Sequence, residues 1–160
     1  MTDPIAFFLT WATYGTWLPG DQRGWTEYQS GWKMPQPFLE LECKARLNEE
    51  ACILTSHDRR LVETQIVETC RYRNWTLKAV NCRSNHIHTV VAAPSTSPRK
   101  IRIDLKAYTT RKLRTESDQK QRNSWWAERG SIRWVWNEES LEQVVAYTCD
   151  AQDRKDAKAS

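Results

Sequence analysis

Residues 75–92 read WTLKAVNCRSNHIHTVVA, and this stretch decides the fold. Trp75 to Asn81 alternates as a half-buried strand does, and His86 to Ala92 is β-branched and apolar enough to be a second strand. Arg83-Ser84-Asn85 between them is a tight turn, so the two should form a hairpin. Upstream, Thr55-Ser56-His57-Asp58 is a capping-box-like start. Val62, Ile66, Val67 and Cys70 then recur at helical spacing, predicting an amphipathic helix over about His57–Arg73 that Asn74 ends. Further back, Ile5 to Thr13 (IAFFLTWAT) is aromatic and β-branched, a first strand.

Downstream of the hairpin, Pro94 to Pro98 is a breaker cluster. A second helix is predicted over Arg99–Leu113, with Ile101, Leu105 and Tyr108 along one side. A polar link over about Thr115–Ser124 leads to Ile132–Trp136 (IRWVW), a fourth strand. Asn137 caps a last helix that carries Glu138 and Glu139 in its first turn, as the helix dipole favours. Its buried stripe is Leu141, Val144, Val145 and Thr148. The order is that of a ferredoxin-like βαββαβ arrangement: α+β, an antiparallel sheet with helices on one face plus one C-terminal helix.

The chain has 160 residues, enough for a single domain over 1–160 that needs neither disulfides nor metal to fold. A long loop or insertion is expected at about 18–52. It opens with WLPGDQRGW and stays polar to Pro37; Phe38–Leu47 reads as a short helix and Ile53–Thr55 as a short extended piece. Charged residues are 28% and hydrophobic ones 39%, a globular balance that excludes wholesale disorder. The longest apolar run, Val90 to Ala93, is too short for a membrane span. No signal peptide is expected, because Asp3 replaces a basic leader and Thr10, Thr13 and Tyr14 interrupt the apolar stretch after Ile5.

Five cysteines (Cys43, Cys52, Cys70, Cys82, Cys149) are odd in number and never in a CxxC pair, which disfavours a disulfide framework or a cysteine zinc site and suits a reducing cytoplasm. Net charge is +4, a mild lean toward polyanions. Nine tryptophans stand out. Trp is a core residue first and a base-stacking platform second. Trp17, Trp25 and Trp32 sit among Pro, Gly and charged residues, where stacking on unpaired bases competes with burial.

His86-Ile87-His88 is the sharpest local feature. On a strand, side chains two apart share a face, so both imidazoles can converge on one metal ion while Ile87 packs opposite. The bland alternative is two exposed strand histidines. Tyr147, on the last helix, lies about 110° from the middle of the buried stripe, where a hydroxyl can emerge into a groove or simply be wetted. Tyr108 is a competitor of the same type. Arg99, Lys100, Arg102, Lys106, Arg111 and Lys112 make the second helix strongly basic: a solvated face, or a surface that tracks a nucleic-acid backbone.

Together, RSNHIHTVV, the basic helix, WW-x-E-x-G-S-I-R-W-V-W and the helix LEQVVAYTCDAQDRK resemble the single-tyrosine HUH transposases. That family includes the REP-associated tyrosine transposases and the insertion-sequence enzymes that move as single-stranded DNA. The opening FFLTWATYGTWLPGDQRGW resembles one branch of it. The resemblance covers nearly the whole chain, and it implies a metal-dependent endonuclease and strand transferase acting on single-stranded or hairpin DNA. His86 and His88 would hold Mg²⁺ or Mn²⁺, and Tyr147 would attack the scissile phosphate to give a 5′-phosphotyrosine. A phenol, which ionises only near pH 10 in water, needs such polarisation of the phosphate. The linkage conserves the phosphodiester, so no nucleotide cofactor is required.

In one branch the third metal ligand is a Gln four residues beyond the tyrosine. Here that position is Ala151, and Gln152 lies five residues on, about 140° round an ideal helix. Gln152 can reach the metal only if the helix bulges or if this branch uses a different register, and Asp150 is the alternative ligand. Arg83 and Asn85 would orient ligands or contact phosphate. The family also allows a homodimer with the tyrosine supplied across subunits. The rival readings are a domesticated binder of structured single-stranded nucleic acid that does not cut, and a replication- or relaxase-type HUH protein.

Overall fold

The computed structural model describes residues 3–27, 30–128 and 130–151. In chain order its elements are strand β1 (Ala6–Ala12), the short strands β2 (Trp25–Glu27) and β3 (Gly31–Lys33), helices α1 (Pro37–Ala45) and α2 (Ser56–Arg73), strands β4 (Thr76–Cys82) and β5 (His86–Ala92), helix α3 (Pro98–Glu116), strand β6 (Ser131–Val135) and helix α4 (Glu138–Ala146). Helix α4 runs on into a π-helical turn, Tyr147–Ala151. Strands β4, β5, β1 and β6 lie side by side in that order, each pair antiparallel. Leaving aside α1 and the β2–β3 hairpin, this is the βαββαβ order with one helix appended.

The strand pleat sorts side chains to two faces. Phe7, Leu9 and Trp11 of β1 join Ile87 and Val91 of β5 on one face, against Val62 and Ile66 of α2 and Ile101, Leu105 and Leu113 of α3. Ala6 and Phe8 join Val90 on the other, against Val135 and the Val144 of α4. At about 1.5–3 kcal/mol for each large apolar side chain buried, the α2–α3 layer supplies most of the burial energy. Among the described residues of α4, only Val144 is buried. The layer carrying Tyr147 is therefore the lightly held one and depends more on polar anchors.

The capping box of α2 forms as expected: Asp58 N donates to Thr55 Oγ1 at 3.1 Å and Thr55 N to Asp58 Oδ2 at 3.2 Å. The buried Asp58 also accepts from Ser117 Oγ and Gln119 Nε2, tying the start of α2 to the end of α3. Asn74 caps α2 at φ +59°, the left-handed conformation its short polar side chain tolerates.

Several expectations are corrected. Val67 faces solvent, and Thr69 takes its place in the α2 stripe. Thr109 and Leu113, rather than Tyr108, complete the α3 stripe. The short piece Ile53–Thr55 joins no sheet; Leu54 N donates to Ser84 O, hooking the chain to the hairpin turn. The loop before α1 contains the β2–β3 hairpin, whose three-residue strands are too short to show a period. Among the described residues no disulfide links the cysteines. No helix among the described residues is long and apolar enough to cross a membrane.

Candidate active site

His86 and His88 project from β5 onto the α4 face, opposite Ala12 and Thr10 of β1, while Ile87 is fully buried on the other side. The two rings meet edge to face with centroids 4.8 Å apart. Each is oriented through Nδ1. Asn85 Oδ1 lies 2.6 Å from His86 Nδ1, and Thr10 Oγ1 lies 3.0 Å from His88 Nδ1. A carboxamide oxygen only accepts, so His86 Nδ1 is the donor in this contact. Fixing one ring nitrogen so that the other can coordinate is the usual outer-shell arrangement of a metal-binding histidine. The pair therefore fits a divalent ion, although among the described residues no third His, Cys, Asp or Glu completes a cluster.

Tyr147 ends α4 and begins the π turn, which is where such turns tend to mark functional positions. Its ring stands edge-on to His88, centroids 5.8 Å apart, and edge-on to Phe8 at 6.2 Å. Phe8 stacks flat on His88 at 5.5 Å, so one apolar ring holds both partners. The π turn is fastened to the sheet by Asn81 of β4, whose Nδ2 donates to Thr148 O at 2.8 Å. Arg83 Nη1 in turn donates to Asn81 Oδ1 at 3.2 Å. Gln152 lies outside the described residues, as does the side chain of Asp150.

Two cavities share Thr10, His88 and Tyr147. One, of about 320 Å³, also contains His86, Asn85, Trp17 and Arg23. The other, of about 620 Å³, extends along the edge strand β6 past Arg133 and the stacked indoles of Trp134 and Trp136. Trp134 and Trp136 are about half exposed. Sequence reasoning missed Arg23, Thr10, Asn81 and Arg133. The signal for Arg23 was present in WLPGDQRGW, but nothing in a loop's sequence says which site it folds against.

The remaining candidates lie elsewhere. Helix α3 packs on the sheet face opposite the histidines, so Arg99, Lys100, Arg102, Lys106, Arg111, Lys112 and Tyr108 are not at this site. Lys106 Nζ donates to the carbonyls of Ala127 and Glu128 at 2.7 and 3.1 Å, bracing the chain before β6. Lys100 pairs with Asp104 and Lys112 with Glu116, each one helical turn away. Arg111 lies over the Tyr108 ring at 5.3 Å. Arg99, Lys100 and Arg111 are exposed. His57 is remote too, its Nε2 lying 3.3 Å from Glu116 O. Trp25 is buried and donates to Met34 O, so it offers no platform for a base, whereas Trp17 and Trp32 are exposed.

A family model described as "Transposase IS200 like" matches residues 43–150, more than half of the chain. No curated protein matches the sequence. Among solved structures, a candidate transposase from Deinococcus radiodurans R1 is 12% identical, with a TM-score of 0.57 over 92% of this chain and 90% of that one. A REP-associated tyrosine transposase bound to a REP hairpin is 11% identical, with a TM-score of 0.58 over 97% of this chain and 70% of that one. At such identities the structural likeness speaks for the fold alone.

Proposed function

Because this chain belongs to the IS200-like transposase family, we propose that it cuts and rejoins single-stranded DNA at hairpin-containing ends through a 5′-phosphotyrosine on Tyr147. The observation that carries this reading is the placement of Tyr147 against His88, in the same cavity as His86. His86 and His88 are the imidazole donors for Mg²⁺ or Mn²⁺. Gln152, which lies outside the described residues, is the third donor in this reading. A bound divalent ion supplies Lewis-acid polarisation of the phosphate and charge stabilisation.

The chain's own groups do the rest. The Tyr147 oxygen forms a bond to phosphorus, the bond to the 3′ oxygen breaks, and that oxygen leaves as a 3′-hydroxyl after taking a proton. In the second transfer a different 3′-hydroxyl attacks and the phenol is released, so bonds and charge balance without a nucleotide cofactor. Asn85 and Thr10 hold the imidazoles; Asn81 holds the turn that carries the nucleophile. The contact of Tyr147 with the His88 of its own chain supports a nucleophile supplied within one subunit. The indoles of Trp134 and Trp136 suit unpaired bases, and the exposed Arg99, Lys100 and Arg111 of α3 suit the hairpin's flanking backbone on the far side of the sheet. The compartment proposed is the cytoplasm.

Trapping tests this reading. The protein is mixed with end-labelled single-stranded hairpin DNA from its genomic neighbourhood, with and without Mn²⁺, and run on a denaturing gel. A metal-dependent shifted band is expected. Tight binding of several hairpins with no band would instead favour a binder that does not cut.

A further inference from the structure

The loop Trp17–Gly24 is built around one guanidinium. Asp21 is 7% exposed and accepts from Arg23 three times, from N and Nε through Oδ1 at 2.8 Å each and from Nη2 through Oδ2 at 2.7 Å. Nη2 also donates to Thr16 O at 2.8 Å. The guanidinium lies 4.2 Å above the ring of Trp17, whose own Nε1 donates to Gly24 O at 2.8 Å. Gly24 N closes the turn onto Asp21 O at 2.9 Å.

Glycine is required on both sides. Gly20 and Gly24 have φ of +89° and +86°. A Cβ at Gly20 would fall 2.4 Å from Gln36 O, and one at Gly24 would fall 2.3 Å from Trp32 Nε1. Arg23 thus has one edge fixed by a carboxylate and one face fixed by an indole, while the two N–H groups of Nη1 take part in none of these bonds. The hydrogen bond from Arg23 in turn holds the Asp21 carboxyl below its ordinary range, so both partners stay charged. With the Arg23 side chain 43% exposed, solvent screens the ion pair and limits what it adds to stability, and such a framework around it is more than a mobile loop needs. Arg23 borders the cavity that holds His86, His88 and Tyr147.

We propose that Arg23, through Nη1, binds a non-bridging oxygen of the phosphodiester presented to Tyr147, with Asp21 and Trp17 as its positioning residues. A planar fork suits phosphate in a way that an ammonium does not. The inference rests on the reading of Tyr147 and the histidine pair as the strand-cleaving site.

The test is single-turnover adduct formation on saturating hairpin DNA with Mn²⁺, for wild type, Arg23→Lys, Arg23→Ala and Asp21→Asn, with melting temperatures alongside. Loss of one donor to developing charge predicts a rate fall on the order of a hundredfold for both Arg23 variants. Added guanidinium should partly restore Arg23→Ala, and Asp21→Asn should be slowed less. Arg23→Lys keeps the charge and a long side chain, so a melting temperature near wild type separates lost chemistry from a lost fold. Wild-type rates in Arg23→Lys and Arg23→Ala would overturn the proposal. So would slowing that disappears at saturating DNA, because Arg23 would then touch only flanking strand. A wild-type protein that forms no adduct on any hairpin would overturn the underlying reading, and that result appears before any substitution is made.

Discussion

The side-chain amide of Asn81 on β4 donates to the backbone carbonyl of Thr148 at 2.8 Å, across 67 positions of sequence. Asn81 is itself held by Arg83 from the hairpin turn. This joint fixes the π turn on the sheet in a layer with little apolar burial of its own. A buried hydrogen-bonding group left unsatisfied costs about 1–3 kcal/mol. Asn81→Asp, which turns a carboxylate oxygen toward a carbonyl, should therefore free Tyr147 and slow adduct formation roughly tenfold or more. Hairpin affinity should hold. Rates and gel shifts on the same preparation separate the two effects.

Asn85 and Thr10 each contact a histidine at its Nδ1. Replacing Thr10 by Val keeps the side chain's shape and removes the oxygen 3.0 Å from His88 Nδ1. Loss of such an outer-shell partner typically weakens metal affinity about 10- to 100-fold. Thr10→Val and Asn85→Ala should shift the Mn²⁺ concentration that gives half-maximal adduct by that factor, while saturating Mn²⁺ restores most of the rate.

Trp134 of the edge strand and Trp136 just past its end stack on each other with ring centroids 6.2 Å apart. Base–aromatic stacking contributes about 1–3 kcal/mol per base. Trp136→Ala should weaken binding of a hairpin with a single-stranded flank by roughly tenfold and leave a blunt hairpin unaffected. Its salt dependence should stay that of wild type, because no phosphate contact is lost. Fluorescence anisotropy over a salt series measures both.

Alkaline pH probes the buried titrating groups. Burial, with the charge of Arg102 next, pushes the Lys106 ammonium down to about 8 from its ordinary 10.5. Between those values the unfolded chain binds more protons, so this group makes stability rise with pH. Burial raises the thiols of Cys52 and Cys70 to about 11 from an ordinary 9, and raises Cys82 as well. Their contribution is present below pH 9 and is lost as pH rises through the folded values. The melting temperature should hold or rise from pH 8 to 9 and fall from pH 9 to 11. Lys106→Met should lose the rise and keep the fall.

The sheet was legible because β4 alternates, β5 and β1 are rich in β-branched or aromatic residues, and a plain turn joins β4 to β5. Tyr147 was legible only as a hydroxyl on the shoulder of a helical stripe. The π turn left no mark in the sequence, since helix wind is not written in periodicity over five residues. Nor does a basic stretch say which face its helix takes: the cations of α3 fell on the side away from the histidines, with Lys106 turned to carbonyls. The Asp21–Arg23 clamp was hidden for another reason. Loop residues are placed by individual hydrogen bonds and left-handed glycines, which leave no repeating pattern to read.

The most direct measurement is mass spectrometry of the trapped protein–DNA adduct after nuclease and protease digestion, mapping which residue carries the 5′-phosphate. A phosphorylated Tyr147, with no adduct formed by Tyr147→Phe, is the predicted result. Label on Tyr108 or another side chain, or an undiminished adduct from Tyr147→Phe, would contradict the account.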